Sequence, residues 1–107
     1  PTQAVVLPIN DSLTPFANEV HQRCFMAGMR SAVDARTESL NRKVREAQLS
    51  RIPLILTVGE KEKAAGTLAV RTLDGAVHHG VPAESFINAV VANITARELA
   101  IEGLLQG

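Results

Sequence analysis

The chain has 107 residues, of which 46% are apolar, 21% charged and 3% aromatic, a size and balance that suit one domain and leave no room for a second. No apolar run nears the roughly 18 to 20 residues that cross a bilayer, no basic-then-apolar leader is visible, and the single Cys24 excludes an internal disulfide, so a soluble, cytoplasmic protein is expected. Eleven Lys and Arg balance eleven Asp and Glu, which excludes a partner held by net charge alone.

Ala4 to Ile9 is a nearly continuous apolar run, the pattern of a strand buried on both faces. Thr14 can cap a helix with Pro15 at its first position. Leu13, Phe16, Ala17, Val20, Cys24 and Ala27 recur at spacings of three and four, and Gly28 ends the helix in the left-handed position. Met29 to Asp34 reads as a short strand. A second helix follows from Leu40 to about Ser50, with Leu40, Val44 and Ala47 inward and Arg42, Lys43, Arg45 and Glu46 outward. Ile52 to Val58 is the most hydrophobic segment and reads as the central strand, closed by Gly59 and the charged stretch Glu60 to Lys63. Thr67 to Thr72 alternates, Asp74-Gly75 is a hairpin signal, and Ala76 to Val81 is the returning strand. Pro82 opens a last helix with Phe86, Ile87, Val90, Val91 and Ile94 on one stripe, and Arg97 to Gly107 could extend it. Alternating strands and helices followed by a hairpin imply a layered α/β domain, parallel in its first half and mixed where the hairpin joins. It occupies residues 1–107, with a core of about 3–96 and a tail of 97–107. The start at Pro1 without Met suits a domain cut from a longer polypeptide.

The charges are unevenly placed. Ten of the eleven basic residues lie between Arg23 and Arg71 against five acids, a net of +5 in a neutral chain. Such a basic middle points to an anionic ligand such as a phosphate chain, or else to arginines that merely solvate helix faces.

Several chemistries find no candidate. The glycines form neither G-x-G-x-x-G nor G-x-x-x-x-G-K-[ST], so no Gly-rich phosphate loop is present. The central strand ends Thr57-Val58-Gly59, without the Asp a phospho-acceptor domain needs. Adjacent His78 and His79 would point to opposite faces of a strand, and no ligand spacing accompanies them, so no metal site is expected. Cys24, on an apolar helix stripe, reads as an inert buried thiol. No serine stands on a nucleophile elbow, and no catalytic residue is assigned.

What remains is Arg36, Glu38, Arg42, Arg45, Arg51, Glu62 and Arg71, polar residues at the ends and outer faces of apolar elements. Arg51 precedes the central strand and Glu62 follows its far end, so the two should not touch. Arg71 alternates to the face opposite Leu68 and Val70, where a rigid strand would present its guanidinium for bidentate bonding to a base edge or phosphate. On composition alone, Glu62 and Arg71 could equally form a surface ion pair. With no Trp or Tyr and three Phe on helices, a stacking platform for single strands is missing. Any RNA would be read through Arg and Glu hydrogen bonds.

The stretch R-E-A-Q-L-S-R-I-P-L-I-L-T-V-G-E-K-E-K-A-A-G-T-L-A-V-R-T-L-D-G, Arg45 to Gly75, closely resembles the C-terminal anticodon-binding domain of threonyl-tRNA synthetases, within the class II synthetases. Val5 to Asn10, Val33 to Glu46 and the last helix fit the same family. The resemblance implies a three-layer α/β fold, a mixed five-stranded sheet with three helices, that binds the anticodon loop of tRNA for threonine. Threonine codons begin A-C, so every cognate anticodon has G second and U third. By the resemblance Glu62 and Arg71 contact those bases, Arg51 makes another contact, Arg45 belongs to the same helix motif, and Thr37, flanked by Arg36 and Glu38, stands where the family often has Asn. Leu73 replaces a commonly basic residue, and the turn Ala76 to His79 is about one residue longer. The resemblance also implies a parent ligase, usually a homodimer, whose other domains use ATP, magnesium and zinc, with no cofactor in this domain and no membrane partner. The competing reading is a synthetase-like accessory or dimerisation module without specific RNA binding.

Overall fold

A computed structural model describes residues 2–93. The strands are β1 (Ala4–Pro8), β2 (Ser31–Val33), β3 (Leu54–Val58), β4 (Thr67–Thr72) and β5 (Val77–Pro82). The helices are α1 (Thr14–Met26), α2 (Leu40–Leu49), the short α3 (Glu60–Ala65) and α4, whose described part is residues 83–93. The proposed continuation through 97–107 lies outside the described residues.

The five strands form one sheet in the order β2-β1-β3-β4-β5. β1 runs parallel to β2 and β3, while β3–β4 and β4–β5 are antiparallel. Ile52 to Val58 thus supplies the middle strand, as its hydrophobicity predicts. Every residue of β1 is buried, because helices cover both faces there. On one face Ala4, Val6, Leu56, Val58, Leu68 and Val70 pack against Ala17, Val20 and Cys24 of α1 and Val90 of α4. On the other, Val5, Leu7 and Ile55 pack against Val44 and Ala47 of α2. The result is the expected three layers. Cys24 is enclosed in the first core, and burial pushes its thiol pKa up.

The structure corrects three local expectations. Thr14 does not cap α1: Asn10 Oδ1 accepts the Ser12 amide at 3.1 Å and starts a 3-10 turn, Asp11–Leu13, that runs directly into the helix with Leu13 at the cap. Glu60 to Lys63 is not a plain closing loop but the start of α3. Glu62 Oε1 accepts the Gly59 amide at 3.2 Å, satisfying one free helix donor, and Gly66 at φ +69° ends the helix left-handed. No residue of α3 is buried, so it has no apolar stripe by which a sequence reading could find it. Lys43 is not outward: its side chain is only 5% exposed, and its Nζ donates to the Asp34 carbonyl at 2.9 Å.

β5 carries an irregularity that matters for the surface. Leu68 pairs with Val81 and Val70 with His78, so one residue of β4, Ala69, faces two of β5, His79 and Gly80, and Gly80 has φ +65°. This is a bulge that increases local twist.

If these cores hold the sheet together, Leu56→Ala, at a fully buried site, should lower the free energy of unfolding by about 2–5 kcal/mol. Leu73→Ala, at a residue 52% exposed, should change it by less than about 0.5 kcal/mol. Urea denaturation followed by circular dichroism checks both.

Candidate functional site

The two faces of the sheet are covered unequally. Arg71 pairs with Ile55, and Ala69 with Thr57, so these residues share the face on which Ile55 meets α2. That face is packed at β1 and β3 and is left open by the described residues over β4 and β5, with α2 on one side and α3 on the other. Arg71 therefore lies opposite Leu68 and Val70, as the alternation predicts.

Three concavities mark this surface and its rim. One, of about 460 Å³, is walled by Asn41, Arg45, Gln48 and Leu49 of α2 and contains Arg71. A second, of about 350 Å³, lies between α3 and the two outer strands, lined by Lys61, Glu62, Thr67, Ala69, His79 and Gly80. A third, of about 480 Å³, opens where β1 and β2 end and includes Asn10, Asp11, Arg36, Thr37, Glu38 and the buried Lys43. It lies outside the carboxyl ends of parallel strands, where the connections from β1 and β2 leave toward opposite faces and open α/β sheets commonly bind ligands.

The candidate residues divide into two groups. Arg36 donates to both carboxylate oxygens of Asp34, at 2.9 and 2.8 Å, and also to Glu46. Arg42 reaches Glu46 at 3.2 Å and Glu38 at 3.5 Å. Arg36, Glu38 and Arg42 are thus tied into a network with Asp34 and Glu46. It fixes the Asp34 to Ser39 loop against α2, with Ser39 Oγ accepting the Arg42 amide at 3.2 Å and Lys43 gripping the loop from beneath. Thr37 is exposed on that loop.

Glu62, Arg71, Arg45 and Arg51 take part in none of the four ion pairs among the described residues. The surface pairing of Glu62 with Arg71 that composition allowed is absent there. Arg71 Nε is buried and finds no acceptor among the described residues, an unmet donor of the kind that calls for an explanation. Arg51 is exposed and has φ +58°, a left-handed conformation that costs a non-glycine residue roughly 1–3 kcal/mol. It follows α2 where glycine is usual. Glu62 is half-buried, its Oε1 engaged by the Gly59 amide. Arg45 is exposed on the α2 wall.

Sequence reasoning missed Lys43 and His79 as parts of this surface. Lys43 stands three residues after inward Leu40, a spacing that places it on the same helix face. His79 was separated from His78 by alternation, but which of them meets the groove depends on the hairpin register that pairs Val70 with His78. Among the described residues no group of three or more His, Cys, Asp or Glu could hold a metal ion, and no helix is long and apolar enough to cross a membrane.

A profile described as "Anticodon binding domain" matches residues 3–93. The chain is 56% identical over 97 residues to a threonine–tRNA ligase of Desulfosudis oleivorans, covering 91% of this chain and 15% of that protein. It is 39% identical over 102 residues to a threonine–tRNA ligase of Clostridioides difficile, covering 95% of this chain and 16% of that one. Among solved structures, the RNA binding domain of threonyl-tRNA synthetase from Cryptosporidium parvum superimposes with a TM-score of 0.77 at 24% identity, over 86% of this chain and 23% of that chain. Histidyl-tRNA synthetase from Nostoc sp. PCC 7120 gives 0.79 at 22% identity, over 88% of this chain and 23% of that one. These two structural likenesses concern the fold.

The loop network carries a pH dependence. The hydrogen bond from Arg36 holds the Asp34 carboxyl below its ordinary value of 3.8, and the same guanidinium lowers that of Glu46. A carboxyl depressed in the folded state binds fewer protons there than in the unfolded chain, so its contribution is complete above about pH 5 and is lost as pH falls through the folded value. Between about pH 5 and pH 2.5 the wild type should lose stability more steeply than Asp34→Asn, as read from urea midpoints at each pH.

Proposed function

The chain belongs to the anticodon-binding domain family, with threonine–tRNA ligases as its relatives, and from that premise we propose that it reads the anticodon loop of tRNA for threonine. The observation that carries this reading is the sheet face that the described residues leave uncovered: Arg71 and Glu62 lie on or beside it outside the four ion pairs of those residues, next to a helix wall that presents Arg45. A carboxylate accepts from the N1–H and N2–H groups of guanine, and a guanidinium fork donates to base acceptors in pairs. Glu62 and Arg71 together therefore suit a second-position G followed by U, with Arg51 and Thr37 as further contacts. Arg36 and Glu38 act one step removed, by holding the loop that bears Thr37.

The left-handed backbone at Arg51 supports the same reading. Glycine would be more comfortable there, and a strained non-glycine residue is most readily understood if its side chain is used.

The chain spans about 15% of the length of the Desulfosudis oleivorans relative. We assign amino-acid activation and transfer, with ATP, magnesium and zinc, to the remainder of a threonine–tRNA ligase, dimeric in our reading and acting in the cytoplasm. The accessory-module reading draws on a different surface. Phe25 and Met26 are exposed on α1, on the far side of the sheet, where a protein contact would leave the Arg71 groove open to RNA.

NMR titration of the isotope-labelled chain with a threonine anticodon stem-loop should shift the amides around Arg51, Glu62 and Arg71, and a loop whose second anticodon G is changed to A should shift them less. Equal shifts that vanish with salt would reduce the site to a phosphate-binding face. Arg71→Ala should weaken cognate binding by about 1–3 kcal/mol with the fold intact, and Arg71→Lys should recover only part of it because the fork is lost. Equal affinity of Arg71→Ala and wild type would overturn the assignment of Arg71.

Arg51→Gly should separate stability from binding. Removing Cβ from a left-handed position should leave the chain as stable as wild type or up to about 1 kcal/mol more so, while affinity for the stem-loop falls. Urea denaturation and an anisotropy titration on the same samples give both numbers.

A further inference from the structure

Resting on the reading of Glu62 as a base contact, we propose that His79 supplies a flat surface on which a base of the bound loop stacks, beside the base that Glu62 reads. His79 lines the same cleft as Glu62. Its neighbour His78 pairs with Val70, whose side chain belongs to the core on the α1 side, so the two histidines serve opposite faces. The extra residue on β5 is accommodated around Gly80, and a Cβ built there would meet nothing within 4 Å. His79 is exposed and therefore borders open ground rather than a packed wall.

The aromatic inventory makes this ring distinctive. The chain has no Trp and no Tyr. Phe16 and Phe86 pack against the α1-side core, Phe25 is exposed on α1, and His21 on α1 is hydrogen-bonded to Ser31 Oγ at 2.7 Å. Among the described residues, then, the imidazole of His79 is the aromatic ring that the groove side possesses. Bases splayed out of an RNA loop are held by stacking on aromatic side chains, histidine included, as well as by hydrogen bonds to their edges. Glu62 supplies an edge contact in this cleft, and His79 supplies a face. The charged neighbours in the cleft are Lys61 and Glu62, so a stacking role is separable from a phosphate contact by its response to salt.

The test is fluorescence anisotropy of a labelled threonine anticodon stem-loop with the wild-type chain, His79→Ala, His79→Phe and His79→Gln over a range of salt concentrations. His79→Ala should weaken binding about tenfold at each concentration without changing the salt slope. His79→Phe should restore affinity, and His79→Gln should not. Wild-type affinity in His79→Ala overturns the proposal, as does failure of His79→Phe to rescue. A reduced salt slope in His79→Ala would reassign the ring to a phosphate. If the wild type does not prefer the cognate loop over one with its second anticodon G changed to A, the base-reading function itself fails and the stacking proposal falls with it. A retained preference with an inert His79→Ala removes the stacking role alone.

Discussion

Strand β1 turns no face to water. All five of its residues are buried, and a parallel strand in that position needs a strand on each side and a helix layer above and below. The chain meets that demand by leaving β1 for β2 through α1 and crossing back to β3 through α2. Parallel crossovers keep one hand, so the two connections, running in opposite directions across the sheet, place their helices on opposite faces. α4 then returns to the α1 side. Among the described residues the α2 side gains only the short α3 at its rim, and they leave the outer half of the sheet, β4 and β5, uncovered there. The groove is thus what the packing of β1 leaves uncovered, and Arg71 sits on its floor because it pairs with Ile55, the last core residue on that face.

The basic middle of the chain does not act as a uniform field. Arg36 and Arg42 are matched by Asp34, Glu38 and Glu46. Exposed pairs of this kind contribute little to stability, and their effect is geometric: they pin a loop. Lys43 completes it from the inside, since a buried ammonium must find an acceptor and takes the Asp34 carbonyl. Once these residues are set aside, the cations outside the ion pairs of the described residues include Arg45, Arg51, Lys61 and Arg71, which border the open groove or lie at its end. A neutral chain can in this way carry a locally basic surface.

The strands, the long helices and the hairpin were legible because burial writes itself into sequence as period and run length. The continuous apolar β1 required two covered faces, and the alternation of β4 sent Arg71 away from Leu68 and Val70. What was hidden had no such signature. α3 buries nothing and is held by a glycine cap and one carboxylate, so no apolar period reports it. Lys43 obeys the inward spacing of Leu40 and Val44 but was read by its charge rather than its position. The groove side of the histidine pair depended on the hairpin register, Arg71 with Val77 and Val70 with His78, which alternation along one strand does not supply. The base-reading assignments of Glu62 and Arg51 came from resemblance, and the structure adds their placement.

The departures from ordinary local rules lie along this surface. Arg51 is left-handed without being glycine, Arg71 keeps an unmet buried donor, and β5 bulges next to His79. Each works against stability or regularity, and their alignment follows β3. Arg51 and Arg71 stand toward the end where β3 begins, while Glu62 and His79 stand toward the end where it finishes. From the level of Ile55 to that of Gly59 is four residues, or roughly 13 Å at the rise of a strand. Nucleotides stacked in a helix advance about 3.4 Å each, so a stacked run of about four would fill that length, and a loop with its bases splayed apart would fill it with fewer. On the proposed reading, a groove of that length, with an arginine fork at one end and a carboxylate at the other, would take a short run of unpaired bases.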